Sequence, residues 1–139
     1  MIPITALLVT GMLAADLPRV KAEPNLERRA KAALENADKA LREAKEVYNK
    51  ADIQQTSALI DEIKESVELA YSSLKETGKS PGRSPKHFKN AEIKTRELLR
   101  KLDAFQQEMN VADRHMVDAV KAKVQQVHDD LLLGVMKRR

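Results

Sequence analysis

Three histidines, His87, His115 and His128, are the first side chains to weigh for chemistry, since imidazole serves as metal ligand and as general base near neutral pH. A metal site built on helices wants ligands three or four residues apart on one face. His115 and His128 lie thirteen apart, which at 100° per residue sets them on nearly opposite faces, and the position three before His128 is Gln125 rather than a glutamate. Asp113 and Asp118 flank His115, and Asp129 and Asp130 follow His128, as is common in a charge-rich chain. The carboxylates Asp61, Glu65 and Glu68 share a helical face. Paired carboxylates need burial to separate their proton affinities, and these alternate with Lys64 and Ser66, the pattern of a solvated surface. Serines at 57, 66, 72, 73, 80 and 84 have no activating partner at motif spacing. The lack of cysteine removes thiolate metal sites, cysteine nucleophiles and disulfides together. No glycine-rich phosphate loop occurs. The pattern calls for no catalytic residue, no metal and no cofactor, and points away from an enzyme.

Two segments stand out instead. Residues 79–101 carry eight basic and two acidic residues in a chain whose net charge is only +4. Lys79, Arg83, Lys86, His87 and Lys89 crowd a loop that opens onto a helix N-terminus. Cations there oppose the helix's own partial positive charge at about 0.3–1 kcal/mol each. A bound anion would relieve that conflict and use the free backbone N–H groups, so these five are the candidate anion-binding residues. The opposing reading is that Glu92, Glu97 and an acidic preceding helix neutralise them. The second segment is LLLGVM at 131–136, followed by Lys137, Arg138 and Arg139. Leu132, Leu133, Val135 and Met136 extend apolar surface around the helix and are the candidate partner-binding residues. They are expected to fold over the bundle end or to enter a dimer interface.

The elements that position these segments follow from periodicity. Ala, Leu, Glu, Lys and Arg dominate, with only four glycines and five prolines, a composition for long helices. A first helix over about 25–51 carries Leu26, Ala30, Ala33, Ala37, Ala40, Ala44, Val47 and Ala51 at steps of three and four. The seam loses phase near 49–52, where Asp52 suits a helix cap with Gln55 at the capping-box position. A second helix over 53–77 resumes with Ile60, Ile63, Val67, Ala70 and Leu74, and Gly78 suits its left-handed end. After the loop GKSPGRSP, Ser84-Pro85 reads as cap and first helical position. Phe88, Ala91, Thr95, Leu98, Leu102, Phe105 and Met109 then mark a third helix over 85–109, and Val117, Val120, Val124, Val127 and Leu131 a fourth over 113–133. Short connections imply an all-α, four-helix antiparallel up-down bundle made of two helical hairpins, spanning 25–139. The acidic second helix is expected to lie beside the basic third.

Residues 1–15 are free of charge and as long as the apolar region of a signal peptide, too short to span a membrane, with cleavage expected near Ala15 and a linker over 16–24. The basic start of a signal peptide is missing, and a short apolar helix docked on the bundle is the alternative. The stretch SPKHFKNAEIKTRELLRKL (84–102) with HDDLLLGVM (128–136) resembles small exported helical proteins of bacteria for which no activity is known; the resemblance implies export and a helical fold. The pattern Ala37-Ala44-Tyr48-Asp52 is similar to one helix pair of a tetratricopeptide repeat, without a second copy. The expected function is therefore a non-enzymatic, exported bundle, periplasmic or secreted, that binds or scaffolds as a homodimer or with a protein partner. An anion- or membrane-surface-binding module using 79–101, directed at an anionic envelope component, is the second reading. A cytoplasmic nucleic-acid-associated protein is the third. The four aromatic residues, none of them Trp, speak against stacking on nucleic acid.

Overall fold

The computed structural model describes residues 15–137; residues 1–14 of the expected leader, and Arg138 and Arg139, lie outside the described residues. Each helix starts and stops where the local chemistry dictates. Among the described residues five α-helices follow in order: α1 (Leu17–Lys21), α2 (Leu26–Asn49), α3 (Ile53–Glu76), α4 (Lys86–Glu108) and α5 (Asp118–Met136), with a 3-10 helix over Val111–Val117 before the last. Asn25 caps α2 by accepting the Arg28 N–H at 2.9 Å.

The turn between α2 and α3 takes three residues. The Ala51 N–H reaches the Tyr48 carbonyl at 2.9 Å and the Asp52 N–H reaches that of Val47 at 3.0 Å, the paired bonds that close a helix through a left-handed residue. That residue is Ala51, at φ 65°, where glycine is the usual occupant. Asp52 at once caps α3, its side chain accepting the Gln55 N–H at 3.0 Å. The helices are two, not one bent rod. Gly78, at φ 72°, closes α3 as its position suggested.

Three local features depart from expectation. The stretch 16–24 is not a free linker: α1 forms within it, its Leu17 is buried, and it packs on α2 and α3. Ser84 does not cap α4; its N–H closes a turn on the Ser80 carbonyl at 2.8 Å, Pro85 takes the cap position, and no side chain caps the helix. The fourth helix begins as a 3-10 segment, and long side chains take backbone acceptors in it and just before it. Gln106 Nε2 donates to the Arg114 carbonyl at 2.8 Å, while the Arg114 guanidinium donates to the carbonyls of Met109 and Gln107 at 3.2 and 3.0 Å.

The seams of α3, α4 and α5 are buried throughout, and that of α2 from Ala30 to Ala44. Ala33, Ala37, Ala40 and Ala44 have no exposed surface, and α2 and α3 share the most extensive helix contact in the molecule. Thr95, the polar member of the α4 seam, satisfies its hydroxyl on the Ala91 carbonyl at 2.9 Å. The two hairpins α2–α3 and α4–α5 then stack so that α4 lies beside α2, and α5 beside α3. The pairing expected between acidic α3 and basic α4 is therefore not the principal one; of the long-helix pairs in contact, these two touch least. Contacts rising in step along α2 and α4, Glu27 with His87 and Asp38 with Lys101, show that these neighbours run parallel.

Because alanine is what admits α3 so closely, Ala40→Leu should overpack the hairpin and lower stability by about 1–3 kcal/mol. The same change at half-buried Ala32 should cost markedly less. Urea unfolding of the two variants checks this, and equal midpoints would contradict it.

Candidate functional site

The stacking sets two unlike poles. At one, the α2–α3 turn meets the start of the 3-10 helix through hydrogen bonds centred on Tyr48. The Tyr48 hydroxyl donates to Asp113 Oδ2 at 2.7 Å and accepts the Asn110 N–H at 2.9 Å, while its ring meets Phe105 edge-on with centroids 5.9 Å apart. The Asp113 contact is foremost in pushing the Tyr48 hydroxyl above its ordinary range.

At the other pole lie the loop 78–85, the start of α4 and the end of α5. All five candidate anion-binding residues are here. Lys79 is spent on Glu27 at 2.7 Å, and the His87 ring approaches the same carboxylate at 3.4 Å. The hydrogen bond from Lys79, helped by the charges of His87 and Lys86, holds Glu27 below the usual carboxylate range. Neutralisation thus comes from α2, not from α3. Arg83, Lys86 and Lys89 are exposed and make no ion pair among the described residues. Lys86, His87 and Lys89 line an open cleft of about 550 Å³ with Lys31, Asn90 and Ile93.

The candidate partner-binding residues reach the same pole. Leu133 and Met136 are 60% and 68% exposed, Leu132 lies at the edge of exposure, and Val135 packs partly on the core. The end of α5 does not fold over the bundle as one expectation had it. Pro81 of the basic loop rides instead on Gly134, where an added Cβ would lie 3.2 Å from its Cγ. This near-contact ties the basic loop to the apolar tip. No described helix is long and apolar enough to cross a membrane.

No family model, curated protein or solved structure matches the chain.

One polar cluster was signalled in the sequence only in part. Glu92, 5% exposed, sits between α4 and α5. Arg96 Nε and Nη2 grip its two oxygens at 3.0 Å each, and His128 Nε2 lies 2.9 Å from Oε2. The other ring nitrogen of His128 faces Asp129 Oδ1 at 3.2 Å, itself held by Gln125 at 2.8 Å. The Arg96–Glu92 step of four is readable on a helix. The His128 partner, thirty-six residues away, depends on how α4 and α5 register. Glu92 and His128 are both buried, and their contact joins α4 to α5, so the cluster serves as a polar pin between the two helices. His115 lies apart, its Nδ1 against the Ala112 carbonyl at 3.0 Å. No three His, Asp or Glu side chains converge as metal ligands among the described residues. Asp61, Glu65 and Glu68 are exposed.

The hydrogen bond from Arg96, with that from His128, outweighs burial and holds Glu92 below its ordinary value of 4.5. A carboxyl depressed in the folded state lends stability above its unfolded value and loses it as pH falls through the folded one. Urea midpoints of the wild type and Glu92→Gln should therefore differ most above about pH 4.5 and converge below it. Profiles that stay parallel into acid would contradict the pin's ionic character.

Proposed function

We propose that the chain is an exported, non-enzymatic helical bundle that binds an anionic membrane surface end-on through its loop pole. The observation that carries the reading is the juxtaposition of Arg83, Lys86 and Lys89 with Leu132, Leu133 and Met136 at one end of the molecule. Each set alone is an ordinary surface feature. Together they provide basic groups for lipid headgroups and apolar side chains for the acyl boundary, the two ingredients of interfacial binding. Export is supported by the uncharged apolar leader, and it would set the pole against an envelope surface. The opposite pole also exposes apolar side chains, Ile53 and Val111, but Tyr48, Asp113 and Arg114 there are tied up in internal hydrogen bonds, and no cluster of free cations stands beside them among the described residues.

A basic residue near an anionic surface contributes about 1 kcal/mol. Reversing Arg83, Lys86 and Lys89 to Glu should thus weaken binding to vesicles of equal phosphatidylglycerol and phosphatidylcholine by about a hundredfold or more. Leu133→Ser with Met136→Ser should weaken it too, with little change in its salt dependence. Co-sedimentation at low and high salt measures both. Absence of wild-type binding at low salt, or equal binding to pure phosphatidylcholine, would overturn the reading.

A further inference from the structure

The first described residues run into a buried receptor on α2. Glu43 is 8% exposed. Its Oε2 accepts the backbone N–H of Ala15 at 2.9 Å, and its Oε1, also buried, has no hydrogen-bond partner among the described residues. Next to it Asn36 accepts the Asp16 N–H at 2.6 Å, and its Nδ2 donates to Glu62 Oε2 at 2.8 Å and Ser66 Oγ at 3.0 Å. Both donors of Asn36 are thus spent and its oxygen is engaged, while Glu43 meets one neutral donor and no cation among the described residues. A buried carboxylate is costly unless a cation and further hydrogen bonds meet it. In this arrangement a charge and at least one donor are missing, and both are missing at the nitrogen of Ala15.

We propose that Glu43 is the receptor for a processed N-terminus, with the chain cut between Ala14 and Ala15. The inference rests on the leader being removed, as export requires. Hydrolysis adds water across the Ala14–Ala15 peptide bond: the C–N bond breaks, Ala14 keeps a carboxylate, and Ala15 gains an α-ammonium. That ammonium brings three donors and a positive charge to the atom already 2.9 Å from Oε2, on the carboxylate whose Oε1 lacks a donor. Asp16 is held by a neutral amide, so the cut falls before Ala15 rather than after it. The start expected near Asp16 moves by one residue. The docked α1 follows directly: Leu17 is buried, and Asp16 caps the helix by accepting the Arg19 N–H. The other charged groups near this stretch are Asp16, Arg19 and Lys21 within it and Asp61, Glu62 and Glu65 on α3, a set whose balance is still negative and favours an ammonium.

The chain from Ala15 holds every core residue and contact described above. Thermal unfolding is compared for a chain that begins at Ala15 and one with a single glycine placed before it, each with Glu43 and with Glu43→Gln. At about pH 6.5 the Ala15 chain should melt higher than the extended one by roughly 4 °C or more. The gap should close in Glu43→Gln. Pairing raises the folded value of the α-amino group above its unfolded value of about 7.7, so the gap is full below that pH and lost as pH rises through the folded value. Equal melting of the two Glu43 chains overturns the receptor. A second arm expresses the full chain in an exporting host and reads the N-terminus of the recovered protein. Ala15 supports the cut. An intact Met1 or any other start overturns the processing step, and the melting comparison then still judges the Glu43 site by itself.

Discussion

The alanine seam of α2 is the constraint on which the rest depends. Four of its members have no exposed surface, and none carries atoms beyond Cβ, so α3 can settle against the α2 backbone. A seam of leucines would hold the two helices farther apart and bury more apolar area per residue. Close approach instead brings polar side chains of facing helices within hydrogen-bond reach, which is how Asn36 of α2 can bond both Glu62 and Ser66 of α3. The α2–α3 hairpin is therefore a tight unit that offers its outer surfaces to α1 on one side and to the second hairpin on the other.

The second hairpin is built differently. Phe88, Leu98, Leu102 and Phe105 on α4 and Val120, Val124, Val127 and Leu131 on α5 are buried, larger side chains than the alanines of the α2 seam. Burial of such residues contributes about 1.5–3 kcal/mol each, before conformational entropy is set against it. Stacking the hairpins with like-directed neighbours brings Asp38 of α2 to Lys101 of α4 and Glu68 of α3 to Lys123 of α5. These exposed pairs add little stability individually. What they fix is register, and register decides what meets at each pole: tyrosine-centred hydrogen bonds at one, free cations and apolar side chains at the other.

Most of this architecture was legible in the sequence, because periodicity needs only local spacing. The α4 and α5 seams appear in the core without an exception, and the phase slip near Asp52 marked a true turn. The polar network was legible only in fragments. Arg96 with Glu92 follows the helical step of four, whereas Glu92 with His128, Glu27 with Lys79, and Glu43 with Ala15 join helices whose mutual rotation no local pattern encodes. The charge argument that set α3 beside α4 failed for a related reason: surface ion pairs are weak, and core packing chose the neighbours. The two candidate site segments were recognisable separately from composition. Their meeting at one pole became visible only with the Pro81–Gly134 contact.

The account's central claim is that this pole, and no other part of the surface, is the binding face. Hydrogen exchange of the backbone amides, measured with and without anionic vesicles, tests it most directly. Slowed exchange confined to residues 78–89 and 131–137, with the 49–52 turn and the 3-10 helix unchanged, is the predicted result. Protection centred on the tyrosine-tied pole, or spread evenly along the sides of the bundle, would contradict it.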